Sequence, residues 1–307
     1  MISVINTILS LFAVIFLGTF ARKRGLITPQ ILGPLNKLVF YVAIPSLLFR
    51  EISKAPFHQY FDSHLVEGLL LPPVFVFFAS VGLGRFLGVK GSRLGTFVQA
   101  SIHGNLGYMG LAVAYYALGQ EGFTRAGLLA SFLILVQNFL SILGLQLCSG
   151  GRGRIWDLAY FLKNLLLNPI ILACLGGIFA SAWAIKLPAL VSNVLNILSG
   201  MALPVALLLI GASLSFTSSW KDMPVAIVSS FFKLMLVPAL GVFIYSWLRL
   251  DGSYVLPSII LLASPTATVT YVMARELNGE PALATTTISI STLLSGLTYF
   301  GWLVYYH

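Results

Sequence analysis

Apolar stretches about as long as a bilayer is thick follow one another through this chain with almost nothing between them. Ten are counted, at roughly 3–21, 31–50, 65–88, 94–118, 124–147, 158–184, 188–215, 224–249, 254–274 and 281–305. A hydrocarbon core of about 30 Å takes about 20 helical residues to cross. Backbone groups in lipid must also be satisfied within the segment, so each stretch reads as a helix. The loops are too short to hold a soluble domain. With 58% hydrophobic and only 9% charged residues, the chain lies outside the range of soluble proteins. The expected class is an all-α polytopic membrane protein with ten transmembrane helices. The first stretch has no basic residue before it and Arg22, Lys23 and Arg24 after it. That reverses the layout of a cleavable signal peptide, and the stretch is expected to be retained.

The second half of the sequence repeats the first. Leu17-Gly18 with Phe20-Ala21 recurs as Leu175-Gly176 with Phe179-Ala180. Leu35-Asn36 leading to Pro45 recurs as Leu195-Asn196 leading to Pro204. Gly104-Asn105-Leu106-Gly107 is answered by Ser264-Pro265-Thr266-Ala267. The expected halves are 1–150 and 151–307, of five helices each. An odd number of crossings makes the second half enter from the opposite side, so the repeats are inverted, an arrangement suited to alternating access.

Interruptions fall at matching places in the two halves. The fourth stretch contains Gly104, Gly107 and Gly110 among Gln99, Ser101, His103 and Asn105. The ninth contains Ser264-Pro265-Thr266, where the proline cannot donate a backbone hydrogen bond and its ring opposes regular helix. Both stretches are expected to unwind near the membrane midplane, at Gly104 and Gly107 in one and at Pro265 in the other. Irregular backbone at that depth survives only where protein or a wet cavity covers it. Free N–H groups at half-helix starts, with the helix dipole behind them, favour an anion.

Charge sets the orientation. Loops after odd-numbered stretches carry ten basic residues, among them Arg22, Arg85, Lys90, Arg93, Arg152, Arg154, Lys221 and Arg275; loops after even-numbered stretches carry five, namely Arg50, Lys54, Arg125, Lys186 and Arg249. The positive-inside bias puts the odd loops in the cytoplasm and both termini on the external side of the cytoplasmic membrane. It also accounts for the net charge of +9 without a nucleic-acid partner, since no basic stripe with interleaved aromatics is present. Cys148 and Cys174 are placed apart, and His58, His64, His103 and His307 are scattered. No disulfide, metal site or cofactor is expected.

Four segments together carry a family resemblance: Leu35 through Pro45, Gly104 through Gly110, Leu203-Pro204 through Leu214, and Ala263-Ser264-Pro265 through Glu276. They resemble the auxin efflux carrier family over nearly the whole chain. Lacking a long loop after the fifth stretch, the chain is similar to compact prokaryotic members described as malonate or organic-acid permeases. The resemblance implies the ten-helix fold of bile-acid symporters. In that fold stretches one, two, six and seven form a scaffold that commonly dimerises, and the other six form a moving transport domain. It implies an elevator-type mechanism, with substrate bound where the broken fourth and ninth helices cross. Asn105 and Gln137 would meet a carboxylate there, with Gly104, Ser264, Pro265 and Thr266 around it. Plant carriers have proline where Gly104 stands, and a small polar contact of theirs falls on Leu48.

The remaining polar residues leave alternatives. All nine acidic residues lie in loops or close to helix ends, which argues against coupling through an intramembrane carboxylate. Sodium binding by the threonines and serines of 266–291 stands beside plain inter-helix hydrogen bonding. His103 is either a proton-coupling imidazole or a neutral histidine bonded to a neighbouring helix. Lys233 either supplies positive charge to an anion or snorkels to an interface, while Lys37 and Lys163 are read as snorkelling. Gln137 and Asn138 point about 100° apart on a helix; Asn138 is counted with the substrate-binding residues, with bracing of the broken fourth helix as its alternative role. Tyr108 and Met109 either wall the cavity or pack.

The expected function is secondary transport of small organic anions such as malonate or auxin-like acids, with the lipid bilayer and a second copy of the chain as partners. A sodium- or proton-coupled symporter is the alternative, with a channel or sensor behind it. No motif of a membrane-embedded enzyme is present: there is no His-Glu-x-x-His, no Gly-x-Ser-x-Gly and no pair of intramembrane aspartates.

Overall fold

The computed structural model describes residues 2–54, 62–148, 167–215, 221–250 and 252–306. His58, His307, Arg152, Arg154, Asp157, Lys163, Asp251 and the start of the sixth apolar stretch lie outside them. The described residues are helical with short connections. They form α1 (Ile2–Lys23), α2 (Pro29–Lys54), α3 (Ser63–Phe86), α4 (Gly91–Ile102), α5 (Leu106–Cys148), α6 (Pro169–Ala182), α7 (Ala189–Ser213), α8 (Met223–Trp247), α9 (Gly252–Leu262), α10 (Val269–Glu276) and α11 (Pro281–Tyr305).

Seven of these, α1, α2, α3, α5, α7, α8 and α11, are long and apolar enough to cross a membrane. The fourth and ninth expected stretches are not continuous helices of that length. The fourth is divided between α4 and the start of α5, and the ninth between α9 and α10. Of the sixth, α6 is the described part. Within α5 the backbone turns a corner at Gly119, with φ 69° and ψ −163°. Glycine alone takes that conformation without strain, so the fourth and fifth stretches meet there. The N-terminus of α6 is set by Asn168, whose Oδ1 accepts from Ile170 N–H at 2.9 Å, with Pro169 in the first turn. Just ahead of Pro45 and Pro238, α2 and α8 widen into π-helical turns at Val39–Ala43 and Phe232–Leu236. A proline ring removes a donor and crowds the carbonyl four residues back, and the wider turn relieves both effects.

Polarity is arranged inside out compared with a water-soluble protein. Leu190, Ile197, Leu297 and Trp247 are each at least 75% exposed, whereas Gln99, Gln137, Lys233, Thr266 and Ser291 are fully buried. Lipid accepts the first group, and hydrogen-bonding protein must surround the second. Two close helix contacts hold one side of the bundle. Along α1 and the second half of α7, backbones approach so nearly that a Cβ on Gly18 or Gly211 would strike the main chain of Leu208 or Ile15. Thr19 Oγ1 donates to Gly211 O at 2.9 Å across the same contact. In a similar way α6 lies against the end of α2, with Gly177 over Ile52 and the Phe49 carbonyl. Small residues permit such approaches, which carry helix association where lipid offers no hydrophobic drive.

The loops gather at two ends. At one, Arg93 pairs with Asp222 at 2.8 Å, and Arg22 Nη1 donates to Ala212 O at 2.5 Å. At the other, Tyr254 Oη donates to Asp62 at 3.4 Å, and the Arg125 guanidinium stands 4.5 Å from the centre of the Tyr254 ring.

Candidate functional site

The two helix interruptions meet. After α4 the chain runs non-helically through His103, Gly104 and Asn105; after α9 it does so from Ala263 to Thr268. They lie antiparallel, joined by a bridge between Gly104 and Thr266. Asn105 N–H donates to Pro265 O at 2.7 Å, and Ala267 N–H donates to His103 O at 2.9 Å. Each interruption thus satisfies part of the other's backbone, which a buried irregular segment requires. The sequence explains the stops: a residue before proline is biased away from helix, as Ser264 is, and Gly104 offers no side chain to resist an extended path.

Side chains from neighbouring helices complete the support. Gln137 of α5 accepts from Gly104 N–H through Oε1 at 3.1 Å. Ser291 of α11 accepts from Thr266 N–H at 3.1 Å. Thr266 Oγ1 donates to Ala100 O at 3.0 Å, tying the second interruption to α4. Ser264 Oγ donates to Leu261 O at 2.7 Å within its own turn. Beyond the first interruption, the Asn105 carbonyl accepts from both Met109 and Gly110 N–H, at 3.1 and 3.0 Å, and so starts the π turn Leu106–Gly110.

Two donors at this meeting point have no protein partner among the described residues: Asn105 Nδ2 and Gln137 Nε2, both buried. Leaving a buried polar group unpaired costs about 1–3 kcal/mol. A pair of them beside an irregular backbone marks a place that a ligand acceptor would satisfy. Gln99, also buried and unpartnered, lies in the last turn of α4.

The other residues singled out from sequence fall into two groups. His103 and Lys233 belong to the centre. His103 Nδ1 is 2.9 Å from Ser141 Oγ on α5. Lys233 does not reach an interface; its fully buried Nζ donates to Leu262 O at 2.6 Å. Asn138, by contrast, donates to Ile134 O of its own helix at 2.9 Å, and the residue that holds Gly104 is Gln137. Gly107 lies near Ile170 and Ile44 rather than at the bridge. Tyr108 Oη is 3.2 Å from Asn36 Oδ1, linking the π turn to α2, and Met109 is fully buried. Leu48 packs over Gly127.

One cluster was not legible as such. Glu51, read from sequence as an acidic residue near a helix end, is buried; it pairs with Arg50 and accepts from Gln120 Nε2 at 2.6 Å. Arg50 also donates to Asn196 and Ser199 of α7, at 2.6 and 2.7 Å. The available signal is the adjacent Arg50-Glu51 pair at the end of an apolar run. A separate open cavity of about 670 Å³, lined by Ser3, Asn6, Thr7, Ser10, Tyr116 and Pro204 among others, shares none of the residues at the interruptions.

A chain whose described residues are helical, with an apolar exterior and a polar, interrupted centre, is a multi-pass membrane protein. Residues 3–303 match the family model described as membrane transport protein, and the chain belongs to that family. It is 26% identical to a Rhizobium meliloti (strain 1021) protein named "Putative malonate transporter", over 98% of this chain and 95% of that one. An "Uncharacterized transporter" of Methanothermobacter thermautotrophicus is also 26% identical, over 97% of both chains. The "Uncharacterized transporter YfdV" of Escherichia coli (strain K12) is 24% identical, over 94% of this chain and 93% of its own.

Proposed function

We propose that this protein is a secondary carrier of small organic anions, carboxylates such as malonate, and that it binds them where its two helix interruptions meet. The observation that carries the reading is the pair of buried, unpartnered amide donors, Asn105 Nδ2 and Gln137 Nε2, beside two unwound segments. A carboxylate accepts such donors, and hydrogen bonds to a charged group are the strong ones. Gly104, Ser264, Pro265 and Thr266 supply the backbone frame. The name of the Rhizobium relative points to the same substrate class.

The broken fourth and ninth helices belong to two inverted five-helix repeats, 1–150 and 151–307. Packing supports this: α1 lies on the second half of α7, and α6 on the end of α2, an exchange of repeat-related partners. Gly18 faces Leu208 as Gly176 and Gly177 face Phe49, and Leu208 stands to Phe49 as Pro204 stands to Pro45. In this reading α1, α2, α6 and α7 form a scaffold that pairs with a second copy, and the remaining helices carry the substrate past it as an elevator. The excess of basic residues in odd loops orients both termini to the external face of the cytoplasmic membrane.

The test is uptake of radiolabelled malonate and a panel of carboxylates into proteoliposomes at an imposed membrane potential. Saturable flux stimulated by carboxylate on the opposite side is the expected result. Proteoliposomes that take up none of the panel faster than protein-free vesicles would overturn the proposal.

A further inference from the structure

Lys233 stands where both interrupted helices end. Its Nζ donates to the carbonyl of Leu262, the last residue of α9. The end of its side chain also lies against Gly104, one residue beyond the C-cap of α4: a Cβ there would be 2.9 Å from Lys233 Cε and 3.1 Å from Nζ. The C-terminal end of a helix carries partial negative charge on its free carbonyls, and a cation there is stabilised. Two such ends meet at this point; the buried lysine bonds to one and lies beside the residue that follows the other. Among the described residues no carboxylate pairs with Lys233. The lysine therefore sits on a helix-end carbonyl rather than on an acidic side chain, and it lies beside Gly104, which is bonded through its N–H to Gln137 and is followed by Asn105.

Placement on α8 explains a local departure in sequence. A side chain at position 104 would collide with the lysine and with Ser264, so glycine is the residue that lets the ammonium group reach the crossing. The π turn Phe232–Leu236 contains Lys233, which is fully buried.

Resting on the anion-carrier reading above, we infer that Lys233 is the built-in counter-charge of the substrate site, doing the work that a co-bound metal cation would otherwise do. An intramembrane charge is retained where it serves a substrate or ion path, and a fixed cation gives a site both its preference for anions and its independence of sodium. Because Lys233 is held by its bond to Leu262, it acts by its field and its position.

The experiment compares wild type, Lys233→Arg and Lys233→Gln in proteoliposomes, with malonate and its monomethyl ester as probes, in sodium and in choline buffers. Wild type should carry malonate equally in both buffers. Lys233→Gln should lower the ratio of malonate to monoester kcat/KM at least ten-fold, while Lys233→Arg keeps that ratio within about three-fold. A purely structural lysine would lower both fluxes together and leave the ratio unchanged, and that result overturns the inference, as does a wild-type flux that requires sodium. If Lys233→Gln does not fold, binding of the two probes to Lys233→Arg and wild type, read by thermal shift, decides the matter: arginine must preserve the preference for malonate. No carboxylate flux by wild type would overturn the carrier reading itself, and the inference with it.

Discussion

The two interruptions do the same thing to the backbone and opposite things with their side chains. At the second, the two buried polar side chains flanking Pro265 are used internally: Ser264 on Leu261, Thr266 on Ala100, with Ser291 holding the Thr266 N–H. At the first, Asn105 spends its carbonyl on the following turn and Gln137 spends its oxygen on Gly104, while both amide nitrogens remain unpaired. In the proposed reading the pair divides the labour: the proline-containing strand, with its side chains bonded, frames the site, and the glycine-containing strand, beside two unpaired amides, binds.

Changes at the first interruption should cost binding, and changes at the second should cost stability. The largest effect is expected from Gln137→Glu, which keeps the oxygen that accepts from Gly104 N–H but replaces the free donor with a negative charge. Repulsion between like charges a few ångströms apart amounts to several kcal/mol at intermediate dielectric. Malonate affinity measured by equilibrium dialysis should fall about 100-fold or more, since about 1.4 kcal/mol is tenfold. Next comes Asn105→Ala, which removes a hydrogen bond to a charged ligand worth about 1.5–3 kcal/mol; malonate affinity should drop about ten-fold or more, with the melting temperature little changed. Ser291→Ala reverses the pattern. It leaves Thr266 N–H buried without a partner, at about 1–3 kcal/mol, so thermal unfolding in detergent should begin several degrees lower while affinity stays within about two-fold. Smallest is Ser264→Ala, which loses a bond back to its own turn, of a kind that contributes little to helix stability; affinity and melting temperature should both stay close to wild type. An Asn105→Ala protein that binds normally, or a Ser291→Ala protein that loses binding alone, would break the contrast.

Sequence alone carried the helices and the places where they stop, for reasons that are local. Apolar length marks a spanning segment, Pro265 denies a backbone donor, and Gly104 with Gly107 relaxes the chain, so both interruptions were visible as residue types. What lay beyond reach depends on partners distant in sequence. Gln137 and Asn138 are adjacent and chemically alike, and only the rotation of α5 against α4 decides that the first meets Gly104 and the second its own helix. Ser291 was one of many hydroxyls at 266–291 until packing put it over Thr266. Lys233 was open between an interface and the centre, and only packing shows it buried and bonded to Leu262. Glu51 was legible as acidic but not as buried, because Gln120, which bonds it, comes from the corner at Gly119. The fourth and ninth stretches, apolar enough to be counted as spans, are each divided between two helices, as their glycines and proline suggest.

The most direct measurement is a structure of the protein with bromomalonate, located by the anomalous signal of its bromine. The account predicts a carboxylate within hydrogen-bonding distance of Asn105 Nδ2 and Gln137 Nε2, with the bromine beside the Gly104–Thr266 bridge. Bromine instead in the open cavity lined by Ser3, Asn6, Thr7, Ser10 and Tyr116, with the interruptions vacant, would contradict it.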